Sequence, residues 1–109
     1  MEYTFVKIGK KDLPIKFGFG ALAKYSKITN TTLQDLDKLG IDMTLDGALN
    51  LILCGIESGH KAAKQEMTLT VDSLADLMDG DFDAITRCMT VLGEQMINNT
   101  EKKQKAKKK

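Results

Sequence analysis

His60 is the single histidine of the 109 residues, and the side-chain chemistry open to the chain is limited accordingly. A zinc site needs further imidazole or thiolate ligands at a workable spacing, and no Cys-His spacing of that kind occurs. A serine or cysteine nucleophile needs a base, and no recognised spacing supplies one. His60 instead follows the expected end of a helix, where an imidazolium complements the helix dipole. The two cysteines, Cys54 and Cys88, fall in apolar helical patterns and read as small buried hydrophobes, not as a disulfide framework. Gly18-Phe19-Gly20 opens like a dinucleotide loop but lacks the third glycine, and the strand before it belongs to a hairpin, not a βαβ unit. Asp79-Gly80-Asp81-Phe82-Asp83 begins like a calcium loop. The glycine and glutamate that such a loop requires are replaced by Ala84 and Thr90. No P-loop is present. The sequence therefore assigns no catalytic, cofactor-binding or metal-ligating residue, and a non-enzymatic protein without cofactors is expected.

The elements that carry these residues centre on Thr44 to Ser58. Thr44 is a good N-cap and Asp46 suits the positive end of a helix. Ala48, Leu49, Leu51, Ile52, Leu53, Cys54 and Ile56 then make a helix apolar almost all round, which places it in the core. Leu49, Ile52, Leu53 and Ile56 are expected among its most buried residues, and Gly47 and Gly55 where neighbours approach closely. Before it, residues 3–8 alternate as a strand, 9–12 make a turn, and Leu13, Ile15 and Phe17 face inward from a second strand. Pro14 suits an edge position. A helix follows to about Ile28, with Leu22, Tyr25 and Ile28 inward, and Thr29-Asn30-Thr31 breaks it. Thr32 caps a short helix striped by Leu33, Leu36 and Leu39 and stopped at Gly40. After a polar connector at 61–66 and an extended 67–69, Thr70 or Asp72 starts a helix with Val71, Leu74, Leu77 and Met78 inward. Asp81 caps the last helix, whose Phe82, Ile85, Met89, Leu92 and Met96 recur at 3, 4, 3 and 4.

The fold class expected is mainly α: a small helical domain, residues 1–97, with an N-terminal β-hairpin, and a disordered lysine-rich tail at 98–109. The net charge of +1 conceals an asymmetry. Residues 101–109 hold six lysines and one glutamate, or +5, which leaves −4 on the rest. A polar lysine run has no apolar surface to bury, so disorder is expected there. Asn98-Asn99-Thr100 is formally a glycosylation sequon, but Met1-Glu2-Tyr3-Thr4 shows neither the basic start nor the apolar run of a secretory leader. A cytoplasmic setting follows, and no apolar run reaches the ~20 residues of a membrane span.

The order of small motifs adds a resemblance. A hairpin leads into Phe17-Gly18-Phe19-Gly20-Ala21-Leu22. Ile28-Thr29 and Thr32-Leu33-Gln34-Asp35-Leu36 come next, and Thr44-Leu45-Asp46 heads the buried helix that ends at Gly59-His60-Lys61. Leu69 to Asp79 precedes the last helix. Over residues 3–96 this resembles the tail assembly chaperones of long-tailed bacteriophages, including those carried as prophages. The resemblance implies a non-enzymatic helical protein of the bacterial host cytoplasm. It would bind the tape measure protein while the tail tube polymerises, with the tail tube protein a further partner, and would self-associate. It also implies a longer frameshifted product, with Lys102-Lys103 and Lys107-Lys108-Lys109 compatible with an A-rich slippery stretch. Phe82, Met89 and Met96 on the last helix are then the candidate partner-binding residues, shared between core and partner, because methionine suits adaptable surfaces.

Two other classes compete. A small nucleic-acid-binding regulator would use short helices and a basic tail. Against it, the body is acidic and holds one arginine, Arg87, where base reading favours several. A structural tail or head–tail component is the other alternative.

Overall fold

The computed structural model describes residues 2–32, 34–35 and 43–107, with side chains through residue 96. An antiparallel hairpin, β1 (Thr4–Ile8) and β2 (Lys11–Ile15), precedes α1 (Phe19–Thr29), α2 (Leu45–Ala62), α3 (Val71–Met78) and α4 (Asp83–Lys107). The protein is mainly helical with an N-terminal hairpin, as the sequence predicts.

Ile8 faces Lys11 and Thr4 faces Ile15, so the strands are joined by Gly9-Lys10 alone and not by a turn over 9–12. Gly9 has φ +63°, a conformation that the first position of a tight hairpin turn needs and glycine adopts without steric penalty. Lys11 and Asp12 consequently join the ladder, with their polar side chains in solvent. Val6, Ile8, Leu13 and Ile15 are buried while Tyr3 and Phe5 stay outside. Tyr3 and Phe5 pack edge to face at 5.6 Å. Phe17 is buried as expected, but beyond the end of the strand.

The Thr44 cap is present: its Oγ1 accepts the Gly47 N–H at 3.0 Å. From there α2 touches α1, β2, α3 and α4, and is the central element. Leu51, Ile52 and Ile56 are fully buried, whereas Leu49 and Leu53, expected with them, are only half-buried and flank the core. The inward stripe is rotated because α2 turns two glycines toward the hairpin. A Cβ on Gly55 would lie 2.6 Å from the Phe17 ring, and one on Gly59 would lie 2.3 Å from the Pro14 carbonyl oxygen. The Lys16 N–H donates to the Gly55 carbonyl at 2.9 Å, which ties the chain just past β2 to the helix. At Gly47 the near atoms are its own cap, Thr44 Oγ1, and the Tyr25 hydroxyl.

His60 does not follow a helix end. It lies within α2, is buried, and its Nδ1 donates to the Ile56 carbonyl at 2.8 Å. α1 ends at Asn30 in the left-handed conformation, which asparagine tolerates. Leu22 and Tyr25 are buried, but Ile28 is exposed. Thr32 and Asp35 form one tight turn through Asp35 N–H to the Thr32 carbonyl, and Leu33, Leu36, Leu39 and Gly40 lie outside the described residues. α3 begins at Thr70 with a reciprocal cap. Thr70 Oγ1 accepts the Ser73 N–H, and Ser73 Oγ accepts the Thr70 N–H. Leu74 and Met78 are buried there.

α4 departs most from the expected pattern. Among its described side chains the buried ones are Ala84, Cys88, Leu92 and Gln95. Of the expected stripe only Leu92 is among them; Ile85, Met89 and Met96 are half-buried, and Phe82, just before the helix, is 89% exposed. Small side chains face inward because α4 runs against β1. Asp81 does not cap α4 with its carboxylate, which is spent elsewhere. Helical backbone continues through Lys107 into the segment 98–109 expected to be disordered, while the side chains from 97 on and residues 108–109 are not among those described.

Candidate partner-binding surface

The surface is shaped by how α4 and the connection that precedes it hold the hairpin at its two ends. At the turn, Asp81 Oδ2 accepts the Gly9 N–H at 3.0 Å and pairs with Arg87 Nη2, while Arg87 Nε donates to the Lys7 carbonyl at 3.0 Å. At the open end, Gln95 Oε1 accepts the Phe17 N–H at 2.7 Å and its Nε2 donates to the Ile15 carbonyl at 3.3 Å. One buried amide thus satisfies the Phe17 N–H, which lies beyond the end of the ladder, and adds a bond to the carbonyl of Ile15, the last residue paired with β1. Between α1 and α2, Lys24 and Glu57 form an ion pair on the surface.

Among the described residues, shallow clefts lie between these elements. One, of about 700 Å³ at the hairpin turn, is lined by Lys7, Lys10, Lys11 and Leu77 beside the Asp81–Arg87 pair. A second, of about 590 Å³ at the open end, lies between Lys16, Gly18, Phe19 and Gly20 on one side and Ser58 and Lys61 on the other. A third, of about 330 Å³, brings Tyr25 and Ile28 of α1 to Met43, Thr44 and Asn50 near the start of α2.

Among the described residues no group of three or more His, Cys, Asp or Glu could hold a metal ion. Both thiols are buried. Burial pushes the Cys88 thiol up to about 12, against a lowering by Arg87 and a smaller raising by Asp81. Burial also raises Cys54, with Lys24 opposing and Glu57 reinforcing. A protonated, buried thiol is a poor nucleophile.

What the surface does offer is exposed apolar area. Among the described residues Phe82 and Phe19 are the most exposed large hydrophobes at 89% and 81%, followed by Leu45, Phe5 and Ile28. Of the three residues that the sequence singles out, Phe82 is fully presented, and Met89 and Met96 pack their inner sides against the core. Met89 and Met96 are seven residues apart, about two helical turns or ~10 Å, and so share one flank of α4. Phe19, between two glycines at a strand-to-helix junction, was not legible as an exposed residue. Gln95 was missed because a single amide in a polar stretch carries no pattern. Among the described residues no helix is long and apolar enough to cross a membrane. Comparison with protein-family models, with curated proteins and with solved structures found no match.

Proposed function

We propose that this protein is a tail assembly chaperone of the long-tailed-phage type, acting without catalysis in the host cytoplasm. It binds a helical segment of the tape measure protein through apolar surface and self-associates while the tail tube polymerises. The observation that carries the reading is the flank of α4: exposed Phe82 leads into half-buried Met89 and Met96. An amphipathic helix recognises such a partly open apolar strip by laying its own apolar face along it. The motif order over residues 3–96 supplies the identity of that partner. The regulator reading draws no support from Arg87, which is engaged by Asp81 and the Lys7 carbonyl and so is not free to read bases.

The test is co-expression with the tape measure protein, followed by pull-down at low and high salt. Apolar burial survives salt, whereas lysine-mediated DNA binding falls steeply with it. A tape measure protein that stays soluble and bound at both salt concentrations supports the chaperone. One that precipitates regardless, or retention of DNA alone with release by salt, overturns it. Presence of the chain in purified mature particles would point instead to a structural tail component.

A further inference from the structure

Phe82 stands almost fully exposed between Asp79 and Asp83, both exposed themselves. Asp81 is taken up by Arg87 and Gly9, but no described side chain pairs with Asp79 or Asp83. An aromatic tip flanked by two carboxylates results, with Lys7, Lys10 and Lys11 set behind it at the hairpin turn. The cleft at the other end of the hairpin carries cations and no carboxylate. Lys16 and Lys61 lie across it, and neither ammonium group is paired with a described side chain. Phe19 stands open at its rim, and apart from its chain neighbours and its own helix backbone Gly20 has no heavy atom within 4 Å of where a Cβ would be. The first turn of α1 holds no acidic residue, and nearby Glu57 is engaged by Lys24. Nothing in the cleft's own walls offsets its charge.

We infer that the protein self-associates head to tail, with Phe82 of one copy seated in the cleft between Lys16 and Lys61 of the next. The aromatic tip stacks on Phe19, and Asp79 and Asp83 face the two lysines. The chain cannot satisfy the contact by itself. Asp81 anchors the knob at the hairpin turn, the cleft opens beyond the far end of β2, and five strand residues hold them ~17 Å apart. A contact between two different patches is heterologous, so it closes into a ring or continues as a chain of copies. This inference specifies the surface for the self-association proposed above; it takes up Phe82 and leaves Met89 and Met96 to the tape measure protein, and its test needs no tape measure protein. The co-expression test and the one below can fail separately.

Sedimentation of the full chain tests it. The wild type is expected to associate with concentration. Phe82→Ser and Lys16→Glu/Lys61→Glu should each weaken association by ~tenfold or more, as loss of an aromatic anchor or its pocket does. Gly20→Gln fills the cleft without changing charge and improves helix propensity, so it should act alike while leaving the fold intact. The decisive experiment mixes Phe82→Ser, which keeps its cleft, with Gly20→Gln, which keeps its knob. One-to-one dimers that grow no further are expected. The inference is overturned by a wild type that remains monomeric up to ~1 mM, by a Phe82→Ser chain that associates as the wild type does, or by a mixture that stays monomeric.

Discussion

Gly59 lies against Pro14 so closely that a Cβ on the glycine would stand 2.3 Å from the proline's carbonyl oxygen and 2.5 Å from the Ile15 nitrogen. Both obstacles are backbone, which cannot rotate aside as a side chain can. Gly59→Ala therefore has to push α2 off β2, and the gain in helix propensity does not offset that. A loss of ~2 kcal/mol or more is expected, at the upper part of the overpacking range. Urea unfolding measures it, and an unchanged midpoint would show that the strand and helix part freely.

Leu51 and Leu53 make a paired test of the core. Leu51→Ala empties a fully buried site and should cost ~2–5 kcal/mol. Leu53 is half-buried, so Leu53→Ala should cost clearly less. Equal losses in denaturant unfolding would mean that α2 is rotated from the orientation described.

Gln95→Leu keeps bulk but leaves the Phe17 N–H without a partner and removes a second bond to the Ile15 carbonyl, which remains paired across the hairpin. The cost of the orphaned N–H is ~1–3 kcal/mol when no water replaces the amide. A loss under half a kcal/mol in the same assay would show that water enters and takes that bond.

Cys88 gives a pH dependence of definite sign. Its thiol rises from an ordinary 9.0 to about 12 on folding. Between those values the unfolded chain loses the proton and the folded one keeps it, so stability falls as pH rises through that window. The Cys88→Ala chain lacks this loss. The stability advantage of wild type over Cys88→Ala should therefore be constant below pH 9 and shrink above it. An advantage that grows with pH would contradict the burial of the thiol. Native Cys88 should also resist alkylation at pH 8 and react once unfolded.

The elements themselves were legible because each carries a local signature. Thr44 and Thr70 announce α2 and α3 through capping chemistry that depends on three or four adjacent residues. What was not legible was the rotation of each helix against its neighbours. The spacing of Phe82, Ile85, Met89, Leu92 and Met96 describes a valid helical face, yet α4 turns Ala84 and Cys88 inward, because small residues allow close approach to β1. Hydrophobicity ranks residues by what they would gain from burial, and a tight interface ranks them by size. The same conflict hid Gly59, which reads as a helix stop but is a contact surface. Asp81 had the look of a helix cap because its true partners, Gly9 and Arg87, include one that is 72 positions away in the chain. Of the candidate surface, the α4 flank of Phe82, Met89 and Met96 was legible as a stripe, and the cleft at the far end of the hairpin was not. Phe19, Lys16 and Lys61 converge through the hairpin's placement on α2, which no short window of sequence encodes.

The reach of Gln95 back to Ile15 and Phe17 also sets a timetable for the newborn chain. Phe17 and Gln95 are 78 positions apart, and at ~5–20 residues per second roughly 4–16 s of translation separates them. Through that interval the end of the hairpin has been made and the amide that seals it has not. The first-made part of the molecule is therefore among the last to be secured, and conditions that slow the ribosome lengthen its exposure.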